Sequence, residues 1–241
     1  MVRNAGDKDM RVEFLTSVAV VALLAGSPAL AGSPAPVYNW TGFYIGGNIG
    51  GVRAENKSQE VGTLTWFDNL PAPVYGASAT GVIGGVQAGY NWQVQQFVVG
   101  IEGDISGASA DATTSRVTGP FNTTMVQTAN LSALVTLRGR AGFAVDRALL
   151  YLTAGFATGN VHDRVVDPNN AVIWDTSGWR TGWTAGGGLE YAVAKNWTVK
   201  AEALYVDLGN SDALLNNVNT AYRFRFKDTA TVARAGFNFK F

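Results

Sequence analysis

Cysteine is absent from this 241-residue chain, which excludes a disulfide framework and a thiolate metal site. Charge is scarce: Asp, Glu, Lys and Arg make up 15% of the residues, against about 25% in an ordinary soluble domain. The signs balance, with 18 basic and 18 acidic residues, so there is no basic field for nucleic acid. Histidine is reduced to His162. Long apolar runs are missing as well. The stretch Phe14 to Ala25 is too short to cross a bilayer as a helix, and nothing downstream carries a helical pattern. What the chain has instead is glycine, at 29 residues, and aromatics, at 11%. Its hydrophobic content is an ordinary 47%. Low charge beside ordinary hydrophobicity points to alternating segments.

The clearest alternation closes the chain. Ala233, Ala235, Phe237, Phe239 and Phe241 fall on one side of a period of two, and Val232, Arg234, Gly236, Asn238 and Lys240 fall on the other. The sequence stops on an aromatic, with no polar tail to cover the phenylalanines. That suits a strand whose apolar face meets lipid and whose end sits at a membrane interface. At the other terminus, Arg11, the apolar run and Ala29-Leu30-Ala31 read as a secretory signal over residues 1–31. Asp7 and Asp9 are out of place in such a signal, so Met10 is a plausible true start. Residues 32–39 read as an extended lead-in, and residues 40–241 as a barrel.

Eight segments carry strand character: about 40–52, 81–93, 97–109, 131–145, 149–161, 181–193, 197–208 and 229–241. Short connections near Gln95, Arg147 and Lys195 alternate with long ones at about 53–80, 110–130, 162–180 and 209–228. The pattern predicts an all-β fold, an eight-stranded antiparallel up-and-down transmembrane β-barrel. The faces agree. In the fourth strand Leu131, Ala133, Val135, Leu137, Ala141 and Phe143 oppose Ser132, Thr136, Arg138 and Arg140. Elsewhere Glu102, Asp104, Glu190, Lys200 and Glu202 stand opposite apolar residues, as do Arg234 and Lys240 in the last strand. Together with Arg138 and Arg140 they form the expected lumen charge network, in which charges satisfy one another. An eight-stranded interior is just wide enough for side chains to fill, so a plug is favoured over a conduction path. Trp40, Phe43, Tyr90, Trp92, Phe97, Phe143, Tyr191, Trp197 and Phe241 predict an aromatic girdle at the short-turn end, with Trp183, Tyr205 and Phe226 opposite. Tyr222, Phe224 and Phe226 alternate out of phase with the terminal strand, which calls for a bulge near Lys227–Thr229 or for a strand continuing above the membrane.

Three stretches resemble a known family: Trp40-Thr41-Gly42-Phe43-Tyr44-Ile45-Gly46-Gly47-Asn48-Ile49-Gly50-Gly51, the strand pair Gly81–Glu102, and Arg234 to Phe241. The chain looks like the alphaproteobacterial outer-membrane β-barrel proteins, called outer-membrane immunogenic or porin-family proteins. The resemblance implies an outer-membrane address and no agreed molecular activity, members being described as structural envelope proteins, surface antigens and in some cases haem binders or pores. The expectation for this chain is a non-enzymatic structural and surface role with no cofactor. The resemblance makes Phe237, Phe239 and Phe241 an assembly signal read by the barrel-assembly machinery. Outer-membrane lipid and lipopolysaccharide are the expected surroundings, with host molecules or haem as partners at the loops. The alternatives are a narrow porin-like channel and, for His162, a lipid-modifying enzyme. His162 is expected where strand five enters a long loop, with no recognisable serine or glutamate pattern around it.

The alternation of connection lengths predicts long loops outside and both termini in the periplasm. An epitope inserted near Gly119 should be labelled on intact cells, and one near Lys195 should not. The reverse labelling would overturn this orientation.

Overall fold

The computed structural model describes residues 38–60, 75–118, 123–166, 172–217 and 220–241. The expected signal, residues 1–31, and most of the lead-in lie outside the described residues. The eight strands are β1 (Gly42–Glu60), β2 (Tyr75–Val94), β3 (Phe97–Thr118), β4 (Thr123–Val145), β5 (Ala148–Val166), β6 (Val172–Ala192), β7 (Trp197–Asn217) and β8 (Thr220–Lys240). Each is antiparallel to its neighbours in sequence, and β1 pairs with β8 to close the barrel. No helix is long and apolar enough to cross a membrane, which says nothing against crossing by strands.

Closure depends on glycine at close approaches. A Cβ on Gly50 would lie 2.1 Å from the Ala233 carbonyl oxygen of β8, and one on Gly46 would lie 2.1 Å from that of Phe237. Both glycines alternate inward with Asn48 and Val52, which are buried. Gly51 faces the other way, with its nearest neighbour 3.9 Å from a Cβ.

The outer surface carries the apolar set. Ile45, Ile49, Val86, Ile101, Ile105, Leu137, Leu152 and Phe156 are all exposed, which in water would be untenable and in lipid is required. Phe43, Trp92, Phe97, Phe143, Tyr191, Trp197 and Phe241 form the exposed aromatic belt at the short-turn end. Neighbouring rings touch edge-on, as with Phe97 and Phe143 at 5.5 Å and Trp197 and Phe239 at 5.2 Å. Trp183, Tyr205 and Trp179 are exposed toward the other end.

The strands are longer than the sequence pattern predicts, at 19 to 23 residues. A tilted strand crosses the lipid band in roughly 9–11 residues, so each continues well beyond it. The expected long connections are therefore largely strand. The reason is visible on the outer face. Past the apolar band, outward positions become charged and pair in water: Arg53 with Glu55 at 3.1 Å, Lys227 with Asp207 at 3.1 Å and Arg225 with Asp212 at 2.8 Å. Backbone pairing persists where lipid contact has ended. Two ladders stop early, however. The β2–β3 ladder runs no further out than Val82↔Ser109, and the β6–β7 ladder no further than Trp183↔Asp207. Above these points the described wall divides into a β7-β8-β1-β2 sheet and a β3-β4-β5-β6 sheet.

Several side chains depart from their expected faces. Trp40 neither begins a strand nor joins the girdle: it precedes β1 and is 2% exposed inside the barrel. Phe226 is buried, so it belongs to no outer girdle. Strand β8 keeps one phase from Phe226 through Asp228, Ala230 and Val232 to Arg234, all buried. The irregularity lies instead on β7, between Asp207 and Asn210, where Gly209 takes a φ of 79°. In β4 a bulge between Leu131 and Ala133 turns Leu131 inward and Ser132 outward, against the single alternating set expected there.

The glycine geometry gives a paired test. Gly50→Val should overpack the β1–β8 seam, costing ~1–3 kcal/mol or more, and should lower the fraction of refolded protein with heat-modifiable gel mobility. Gly51→Val should leave that mobility at the wild-type level. Equal behaviour of the two variants would contradict the closure described here.

Candidate functional site

The inward positions build three layers. At the short-turn end Trp40 packs with Tyr38, Val98, Ala144, Leu149, Tyr151 and Ala192. The Trp40 backbone N–H donates to Gln93 Oε1 at 2.7 Å, which holds the chain entering β1 in the barrel mouth. At the far end an apolar layer includes Val52, Ile83, Leu131, Leu134, Leu204, Val206, Leu208 and Val232. It is topped by Asp228, which forms an ion pair with Arg180 and accepts from Asn56 Nδ2 at 2.6 Å.

Between these layers lie the charges. Arg138 is 1% exposed and meets three carboxylates: Glu102 at 2.5 Å, Asp104 at 3.0 Å and Glu202 at 3.0 Å. Arg234 joins Asp104 at 2.9 Å and Glu202 at 2.8 Å. Arg140 pairs with Glu190 at 2.7 Å, and its guanidinium lies 4.1 Å from the Tyr151 ring centroid. Lys200 donates to both oxygens of Glu102 at 2.9 Å. Hydroxyls complete the shell: Tyr44 donates to Glu102 at 2.8 Å, Tyr151 to Glu202 at 3.0 Å, Thr198 to Glu190 at 2.5 Å, and Thr136 to Asp104. Amides extend it, from Asn238 to Glu190 at 2.8 Å, Gln87 to Asn238 at 2.6 Å and Asn48 to Gln87 at 2.8 Å.

Eight of the expected charges thus meet in one cluster, four cations against four carboxylates, all buried. The register explains part of this: Glu102 faces Arg138, Glu202 faces Arg234, and Glu190 faces Lys200 on adjacent strands. Other pairs, such as Arg138 with Glu202, span the lumen between strands that are not neighbours.

Lys240 is the exception. It stands apart from the cluster because its Nζ donates to the backbone carbonyls of Asn39 and Thr41 and lies 5.0 Å from the Tyr38 ring. It clasps the entering chain to the terminal strand. The sequence reading missed Tyr44, Tyr151, Arg180 and Asp228 as inward partners. Period two places Tyr44 on the inward face with Asn48, but an aromatic beside Trp40 and Phe43 reads as part of a girdle. His162 lies within β5, on an exposed outward face, rather than in a loop. Among the described residues no group of three or more His, Cys, Asp or Glu is placed to hold a metal ion.

The expected assembly residues sit together at the short-turn rim. Phe241 is 69% exposed and its N–H donates to the Phe43 carbonyl at 3.0 Å. Phe239 contacts both Trp197 and Phe241, each at 5.2 Å between centroids.

Comparison with known proteins agrees with this architecture. The outer membrane protein beta-barrel domain family matches residues 17–241. The 31 kDa outer-membrane immunogenic protein of Brucella melitensis biotype 1 is 34% identical over 237 residues, spanning 95% of each chain. A 22 kDa outer membrane protein of Rhizobium leguminosarum bv. viciae is 29% identical over 181 residues, covering 73% of this chain and 68% of that protein. A crystal structure of the outer membrane protein OprG from Pseudomonas aeruginosa aligns with a TM-score of 0.44 at 11% identity, over 85% of this chain and 99% of that one. A closed antiparallel barrel with lipid-facing apolar residues, the family match over residues 17–241 and the 34% identical Brucella relative make this chain an outer-membrane protein, a member of the outer membrane protein beta-barrel family.

Proposed function

We propose that this protein is a structural, surface-exposed barrel that contributes to envelope integrity and surface interaction and does not conduct. The observation that carries the reading is the filled lumen: an aromatic layer, a charge-balanced cluster and an apolar layer in series. A conducting barrel needs a continuous wet path, and an interior of this size has little room beyond its own side chains. The pore reading is therefore the weaker one. Outer-membrane lipid and lipopolysaccharide would surround the apolar band. Interaction with host molecules or haem would fall to the strand extensions and their connections. Relatives such as the 31 kDa protein are named as immunogenic, and surface display of this chain is part of the same proposal.

Recording from refolded protein in planar bilayers tests the closed lumen. Wild type should give no steady openings. Replacing both Arg138 and Arg140 with Ala leaves buried carboxylates without partners, at a cost of about 3–5 kcal/mol for a broken buried pair. That variant should unfold at lower denaturant and show intermittent conductance. Steady openings of the wild type would promote the channel reading instead.

We also assign the assembly signal to Phe237, Phe239 and Phe241. A single rim phenylalanine contributes only ~1.5–3 kcal/mol of burial, so its loss should spare folding. Its side chain and the strand edge can still be read by the insertion machinery through main-chain hydrogen bonds and alternate pockets. Phe241→Asp should reduce the surface level in cells severalfold while refolding normally in detergent. Equal surface levels for variant and wild type would sink the assignment.

A further inference from the structure

The chain that enters β1 crosses the short-turn mouth of the barrel. Gly42 opens β1, whereas Tyr38, four residues earlier, donates its backbone N–H to the Asp146 carbonyl at 3.4 Å. Asp146 lies in the turn between β4 and β5, and β5 is four strands from β1 in either direction round the ring. Four extended residues reach at most about 14 Å, which suffices to cross an interior that side chains alone can fill. The crossing is anchored along its length. The Trp40 N–H donates to Gln93 Oε1 at 2.7 Å, the Thr41 N–H to Asn39 Oδ1 at 2.9 Å, and the Gln93 N–H to Thr41 Oγ1 at 2.9 Å. Lys240 Nζ, on β8, donates to the carbonyls of Asn39 and Thr41.

This strap separates a wet space from a dry one. Trp40 is 2% exposed and packs with Val98, Ala144, Leu149, Tyr151 and Ala192, and its ring meets that of Tyr38 edge-on at 4.8 Å. Tyr151 links this layer to the charges, because its hydroxyl donates to Glu202 and its ring faces the Arg140 guanidinium. A cavity of about 610 Å³ lies against Tyr38, Asn39 and Thr41 of the strap and against Gln93, Gln95 and Gln96. Its walls are polar and uncharged, and Trp40 takes no part in them. The Trp40 indole N–H meets no acceptor among the described residues. The ring is therefore held by packing, and its burial leaves a donor unsatisfied. Such a seat is stable only while the other anchors of the strap hold.

We infer that residues 38–41 are a closing strap for the short-turn mouth, that its seating keeps water from the charge cluster, and that this seating depends on the closed β1–β8 seam. The apolar layer covers the far side of the cluster, and the strap with Trp40 covers the near side. Lys240 belongs to β8, whereas Asn39 and Thr41 lead into β1, so the clasp forms only when the two terminal strands are paired. With the strap lifted, the seat of Trp40 opens to the cavity and water reaches Tyr151 and Arg140. Ion pairs there weaken as the local dielectric rises. The far layer stays in place, so a lifted strap makes a blind vestibule rather than a pore. In this respect the inference rests on the closed-lumen reading above.

The test uses the full-length protein refolded in detergent, and the absence of native cysteine lets single-cysteine variants report on access. Ala144→Cys and Ala192→Cys place a thiol in the layer that packs on Trp40, and Ala157→Cys places one in the far apolar layer. A charged, water-soluble methanethiosulfonate should label Ala144→Cys slowly in the otherwise native chain. Adding Trp40→Ala should speed that labelling about tenfold or more, because local opening sets access to a buried site. Lys240→Met should speed it as well, whereas Trp40→Phe should stay close to the parent rate. Ala157→Cys should remain protected throughout. Heat-modifiable mobility reports the fold of each variant, and Ala192→Cys replaces Ala144→Cys if the latter does not fold. A folded Trp40→Ala chain labelled no faster than its parent would overturn the strap. So would labelling that rises at Ala157→Cys as much as at Ala144→Cys, which is general loosening. Labelling of Ala157→Cys in the native background, with Ala144→Cys protected until Trp40 is removed, would count against the closed lumen and leave the strap standing.

Discussion

Everything in this protein follows from the need to pair the backbone inside lipid. An unpaired N–H or C=O in the hydrocarbon costs several kcal/mol, and an open sheet would leave two whole edges of them. The β1–β8 ladder, running from Tyr44↔Lys240 to Glu60↔Phe224, removes those edges. Closure then fixes which side of each strand meets lipid, and the period of two distributes the rest of the sequence without further choice. The glycines of β1 are the local condition for it, because Gly46 and Gly50 face carbonyls of β8 that no Cβ could approach.

A closed barrel of eight strands creates an interior that must be filled, and this one is filled in a definite order. Burying charge is expensive, and a buried ion pair returns little net stability over an apolar replacement. The arrangement here limits that cost by balance and by multiplicity. Each of Arg138 and Arg234 bridges at least two carboxylates, and hydroxyls of Tyr44, Tyr151, Thr136 and Thr198 take up remaining lone pairs. Apolar layers above and below exclude water from the cluster, which strengthens each electrostatic contact. The same lowering of the dielectric makes the cluster intolerant of losing one member.

Beyond the lipid band the constraints loosen one at a time. Outward positions become charged as soon as hydrocarbon ends, while strand pairing continues because water does not compete it away. The wall then separates along two opposite lines, after Val82↔Ser109 and after Trp183↔Asp207. At both lines a glycine sits tight against its neighbour: a Cβ on Gly81 would lie 1.7 Å from the Ser109 oxygen, and one on Gly182 would lie 1.8 Å from the Asp207 oxygen. Above the closed barrel the described strands therefore continue as two sheets, β7-β8-β1-β2 and β3-β4-β5-β6.

The sequence by itself determined the strand count, the antiparallel order, the lipid-facing set and the charged character of the interior, because each depends on a period of two and on connection lengths that lie along the chain. It also placed Arg138, Arg140, Glu102, Asp104, Glu190, Lys200, Glu202 and Arg234 on inward faces, since they alternate with residues that lipid requires. It could not say where strands end, because outside the band charged and apolar residues serve equally well on an outer face. Bulges were equally hidden: the one between Leu131 and Ala133 turns Leu131 inward, away from the face that Ala133 and Val135 share with Leu137. Only the tertiary structure turned Trp40 into the lumen, separated Lys240 from the ion pairs, and joined Arg138 to Glu202 across the barrel. Those placements depend on register between segments distant in the chain. Register is decided by the closure of the whole sheet, which no single stretch of residues encodes.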